Sequence, residues 1–241
     1  MPRHTHFLAL LVVAGGCAAP TKSPDGLSGG DAAGKPQPKA TVSAELRTQA
    51  LNFMGYPFEK PVRYKVTGLG AEAHKGGREI TAEEPKDGKI TLKSAWTDGL
   101  ATVLPDEVLV STKEGIRSTM IQGSKIEPPP LFLPADLRTG LAWKSSFSFE
   151  RPGDKAKFQA TTQWRILGTE QVTVPLGSFD AIVVKESASI KGVAGKVEQS
   201  GKSWYVDGVG LVKAVHESVS SAPGSQPSKN TITITAIPAK G

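Results

Sequence analysis

Cysteine is almost missing from this chain, with one residue, Cys17, in 241. A lone cysteine excludes an internal disulfide framework. Histidine is scarce too: of four, two precede Cys17, which leaves His74 in an Ala-His-Lys-Gly-Gly loop and His216 on a strand arm. Glu217 and Ser218 follow His216 directly, but neighbours on a strand point to opposite faces, so the three form no triad. An edge or exposed position is expected for His216. No G-x-S-x-G elbow occurs, and no cluster of metal-ligand types remains. Residues 196–203, KVEQSGKS, end like a phosphate loop, but Gly195 is misplaced by one and a strand follows where a helix is needed. Asp136, Asp154 and Glu170 are scattered carboxylates with no partner that spacing identifies. No catalytic residue, cofactor site or metal site emerges. The longest apolar run, Phe7–Val13, is too short for a spanning helix of about 20 residues. The net charge of +6 is spread over alternating strand positions such as Arg63, Lys65, Lys93, Lys144 and Lys157. Such spacing suits solubility and edge protection, with attraction to anionic headgroups second. Nucleic acid is not an expected partner, since no basic cluster sits among exposed aromatics.

What is present begins at the N-terminus. Pro2-Arg3-His4 gives a short positive segment, the apolar run follows, and Ala14-Gly15-Gly16 leads into Cys17, a secretory pattern. The small residues before the cysteine resemble a bacterial lipobox, with Ala14 where leucine is most frequent. The resemblance implies cleavage before Cys17 and lipid attachment to its thiol, so residues 1–16 are the signal peptide. The mature charge is then 6 − 1 = +5, Arg3 being removed. The membrane, reached through the Cys17 lipid, is the expected partner, with an envelope protein or lipid as the second. Ala18 stands where an inner-membrane retention aspartate would, which implies the outer membrane facing the periplasm if the cell is Gram-negative.

Residues 17–40 are rich in Pro, Gly, Ser, Ala and Lys and form a flexible tether, with a reach of roughly 25–30 Å. Residues 41–241 read as a single β-rich domain. Ser43–Met54 predicts the one short helix, capped by Ser43 and ended by Gly55, its apolar face plugging one opening of the domain or holding a partner. From Pro61 onward the period is two, which predicts about eleven to thirteen antiparallel strands with one buried and one wet face. Asp87-Gly88, Asp98-Gly99 and Asp207-Gly208 mark hairpins, and Gly177 and Gly208 are the structural turn glycines. Glu127–Pro134, with three consecutive prolines, is expected to be extended and unpaired, a crossover between strand sets. The fold class is all-β: a bent antiparallel sheet or incomplete β-barrel.

Three motifs carry a further resemblance: Gly140-Leu141-Ala142-Trp143; the run 172–181, VTVPLGSFDA; and the run 204–213, WYVDGVGLVK. Together with the proline crossover they make residues 127–219 resemble an uncharacterised family of bacterial envelope lipoproteins, a domain of unknown function. The resemblance implies a curved antiparallel sheet at the envelope and supplies no activity. The function expected is a membrane-anchored, non-enzymatic binding or structural module. The alternatives are a carrier holding an apolar or lipid ligand in a sheet concavity, and a hydrolase of envelope polymer. For a carrier, Trp143, Phe147, Phe158 and Trp164, which share buried faces, are the candidate cavity lining.

Overall fold

The computed structural model describes residues 42–59, 61–151, 155–193 and 195–239. Cys17, the signal peptide and the tether lie outside the described residues. A short 3-10 turn, Ala44–Leu46, precedes helix α1, Gln49–Phe53. Thirteen strands follow: β1 Val62–Thr67, β2 His74–Ala82, β3 Ile90–Trp96, β4 Glu107–Thr112, β5 Gly115–Ile121, β6 Ser124–Glu127, β7 Leu131–Pro134, β8 Ala142–Glu150, β9 Lys157–Val174, β10 Gly177–Gly192, β11 Gly195–Val206, β12 Gly210–Ser221 and β13 Ser228–Ile237.

All pairings are antiparallel, and they close. The ring runs β1 to β6, then β8 to β13, and β13 pairs back onto β1, giving a 12-strand barrel. This corrects the bent or incomplete sheet expected from sequence. Closure depends on β6, four residues long, which joins β5 to β8. Pro128–Pro130 does not leave the segment unpaired either. Beyond the prolines β7 continues along the same edge of β5, with Leu133 opposite Ile116. The Ser118 amide donates to the Pro130 carbonyl at 3.1 Å, so prolines that cannot donate still accept.

Two further expectations change. The helix is not continuous from Ser43 to Met54: α1 starts only at Gln49, with Thr48 accepting from the Leu51 amide at 3.3 Å. Asp98-Gly99 is no hairpin, because a 3-10 turn, Asp98–Leu100, leads into the loop before β4. α1 touches β5 and β12, six strands apart either way round the ring, so it crosses one end of the barrel. Ala50 and Leu51 are fully buried there.

Alternation sorts the long strands into a buried and an exposed face. On β9 Phe158, Ala160, Thr162, Trp164 and Ile166 are buried, while Lys157, Gln159, Gln163 and Arg165 are exposed. The buried faces meet in a large apolar cluster around α1, Tyr64, Trp96, Ile166 and Leu211. A smaller cluster of Ile121, Ile126, Phe147, Phe158, Ala160 and Ile190 lies apart from it.

Candidate functional site: a polar band inside the barrel

Between these clusters the cross-strand register lines up polar side chains. One row runs Trp143, Trp164, Glu186, Gly201, His216 and Ile232 across β8 to β13. The next row carries Thr162, Ala188, Gln199 and Ser218. Period-two geometry puts these on one face, and all but Trp143 and Gly201 are buried.

Gly201 makes the first row work. Its missing side chain lets the His216 ring lie over β11 and meet Glu186 from β10. A Cβ at 201 would sit 2.5 Å from His216 Nδ1 and 2.3 Å from the Val215 carbonyl oxygen. Glu186 Oε1 is 2.6 Å from His216 Nε2. Ser203 donates to Glu186 Oε1 at 3.2 Å, and its Oγ is also 3.3 Å from His216 Nε2. Trp164 Nε1 donates to Glu186 Oε2 at 3.2 Å. Trp143 stacks on Trp164, 5.7 Å between centroids and 15° between planes, and its own N–H donates to Leu131 at 3.1 Å.

Burial sets the protonation of this cluster. Desolvation pushes Glu186 up to about 8, against the hydrogen bonds from Ser203 and Trp164. It pulls His216 down to about 3. The neutral carboxyl beside the neutral imidazole is therefore the favoured state near neutrality, with Glu186 donating to Nε2. The neutral ring then carries its proton on Nδ1, which has no hydrogen-bond partner among the described residues. Both side-chain atoms of buried Gln199 are likewise unpartnered. Across the barrel, Arg78 bonds Glu107 at 3.2 Å and Ser94 at 2.8 Å and lies over Trp96. Glu107 is pushed up to about 7 by burial despite that guanidinium. The Tyr205 hydroxyl is driven up by burial and by the charge of Glu186.

A hydrolytic triad splits its partners between the two imidazole nitrogens, base on one and orienting carboxylate on the other. Here Ser203 and Glu186 converge on the same nitrogen, an arrangement that holds a ring in place. His216 is 1% exposed, a correction of the edge or exposed position expected from sequence. Its partners come from β10 and β11, not from its own strand. Glu186, Ser203 and Gly201 were missed, although parity gives a signal: Glu186 sits in step with Val184, Ala188 and Ile190. Among the described residues no group of His, Cys, Asp and Glu could hold a metal ion.

The four candidate cavity residues separate. Trp143 and Trp164 line an open cavity of about 630 Å³ over β8 to β10, together with Glu186 and the exposed Lys144, Arg165 and Lys185. Phe147 and Phe158 belong to the smaller apolar cluster, each in ring contact with Phe149. Gly208 has φ +70° in the β11–β12 turn and Gly177 φ +153° at the start of β10. The motif glycine at 210 has a tighter constraint. A Cβ there would meet the Met54 carbonyl oxygen at 3.1 Å, because the end of α1 rests on this turn. The Gly208 amide donates to Asn52 at 3.1 Å, fastening the two together.

These motif positions fall within the stretch that a family model recognises, residues 112–218. That model describes a DUF3108-like domain, to which this stretch, somewhat under half of the chain, is similar. The matched stretch begins at the last residue of β4 and ends within β12, so it holds Trp164, Glu186, Gly201, Ser203 and His216. No curated protein matches the chain. Among solved structures, it is similar to a protein from Bacteroides fragilis described as exported with a YmcC-like fold, at 13% identity and TM-score 0.49, covering 73% of this chain and 92% of that one. A protein from Parabacteroides distasonis described as a lipoprotein is similar at 14% identity and TM-score 0.48, with the same 73% and 92%. The hypothetical lipoprotein YmcC from Escherichia coli is similar at 9% identity and TM-score 0.37, over 80% of this chain and 90% of that one.

Proposed function

We propose that this protein is an envelope lipoprotein, held by a lipid on Cys17 on the periplasmic face of the outer membrane, whose barrel is a non-enzymatic binding module. The observation that carries the anchor is the sole cysteine directly after an apolar run and three small residues. The non-enzymatic reading is supported by the geometry inside the barrel. Glu186, Ser203 and His216 bond mainly to one another, and α1 crosses one end. The carrier reading gains no support from the four aromatics, which do not gather round one space.

Mass spectrometry of the N-terminal peptide tests the anchor: a peptide starting at Cys17 with diacylglyceryl and acyl groups is expected. A peptide starting near Ala19 would replace the lipoprotein with an ordinary secreted protein. For the module, purified chain incubated with envelope polymer should release no product. Turnover by the wild type that is lost in Glu186→Gln would overturn the non-enzymatic reading.

A further inference from the structure

The exposed face of the same three strands carries a feature that solubility does not explain. Arg165 on β9 stands directly opposite Lys185 on β10, which stands directly opposite Lys202 on β11. All three are exposed, and Lys144 lies one row further on β8, opposite Gln163. Like charges directly opposite across a ladder destabilise a sheet. Among the described residues none of these four cations has a carboxylate within ion-pair distance, whereas elsewhere on the barrel Lys93 pairs with Glu83 at 2.7 Å and Lys196 with Glu198. Lys144, Arg165 and Lys185 border the open cavity of about 630 Å³ over β8 to β10, so their charge gathers at a concave surface, with Lys202 next in the row.

We propose that this face of β8 to β11 is a docking surface for the anionic headgroups of a lipid bilayer. Charge complementarity argues for that occupant, and the position of the chain makes it available. The reading rests on the anchored location given above, since a domain joined to a lipid at Cys17 is held beside a bilayer. Each basic residue at an anionic surface contributes about a fivefold gain in partitioning, so three together give on the order of 100-fold.

The test uses the full mature chain without acylation, made as Cys17→Ser, so its outcome does not depend on the anchor. Binding to phosphatidylglycerol-containing vesicles is compared with binding to neutral phosphatidylcholine vesicles. The combined variant Arg165→Gln, Lys185→Gln, Lys202→Gln should lose on the order of 100-fold of the anionic partitioning. Its melting temperature should stay level or rise, because a repulsive row is removed. The control Lys86→Gln, Lys89→Gln, Lys229→Gln, with the same change in net charge, should bind almost as well as the parent. Lys185→Glu alone, which places a carboxylate between two cations, should fold and also weaken binding. Equal loss in the control, equal binding to neutral vesicles, or unchanged binding by the triple variant overturns the proposal. Displacement by millimolar inorganic phosphate at constant ionic strength would assign the surface to a free phosphate and overturn it too.

Discussion

At the scale of single residues, the Glu186–His216 contact is a hydrogen bond between neutral partners enclosed by apolar strands, and that has a pH signature. Glu186 is raised to about 8 in the fold, above its ordinary 4.5, so the unfolded chain ionises first. Its contribution is complete below 4.5 and is lost as pH rises toward 8. Glu107, raised to about 7, acts in the same sense. His216, lowered from 6.5 to about 3, acts oppositely: its contribution is complete above 6.5 and is lost as pH falls toward 3. Two carboxyls outweigh one imidazole between 4.5 and 6.5, so the barrel should be most stable near pH 4.5 to 5 and weaken toward pH 8. Glu186→Gln keeps the shape, can still accept from Trp164 and donate to His216 Nε2, and has no charge to develop; the Ser203 hydroxyl must turn from donor to acceptor. The variant should flatten the alkaline side of the profile and match or exceed the wild type at pH 8, read by thermal melts across pH. Strong destabilisation at pH 8 would mean that the pair is ionised instead. Gly201→Ala should cost more than about 2 kcal/mol, because the added carbon meets a backbone carbonyl and the His216 ring and neither can move aside.

At the scale of elements, α1 and the β11–β12 turn act as one unit. α1 has only five residues, too short to persist without packing, so its stability comes from Ala50 and Leu51 inside the barrel end. Leu51→Ala should lower stability by about 2–5 kcal/mol in denaturant titrations, the range for a fully buried leucine. At Gly208 a side chain has open space, but φ is +70°, so Gly208→Val should cost more than about 1 kcal/mol through backbone strain alone. Gly208→Asn, which tolerates that region, should cost less. The turn at Asp207-Gly208 and the alternation on β8 and β9 were legible because they are local, set by two-residue periods and one glycine. The break between the 3-10 turn and α1 was not; α1 begins at Gln49, whose side chain accepts from the Leu137 amide at 2.8 Å, a contact with a distant loop that local sequence does not announce. β6 and β7 were hidden by the prolines, which remove donors but leave carbonyls that β5 can use.

At the scale of the whole molecule, barrel closure and the polar band share one origin, which is register between strands far apart in sequence. Nothing near Val62 announces that β1 pairs with β13, and nothing near Lys185 announces Arg165 and Lys202 on either side. The basic residues therefore read as scattered along the chain although the sheet brings them together. His216 failed for the same reason, since its surroundings are Glu186 and Ser203, 30 and 13 residues away. By contrast the proposed address rests on one short stretch, Phe7–Cys17, because a leader pattern is read in linear order. The account stands most directly on that address. The decisive measurement is the distribution of Cys17→Ala between membrane and soluble fractions in about 1 M salt, where the Debye length is near 3 Å and the basic face contributes little. Wild-type protein should stay with the membrane, since two or three acyl chains anchor stably. The variant should be wholly soluble. A variant that stays on the membrane in high salt would contradict a lipid anchor at Cys17 and, with it, the function proposed for the barrel.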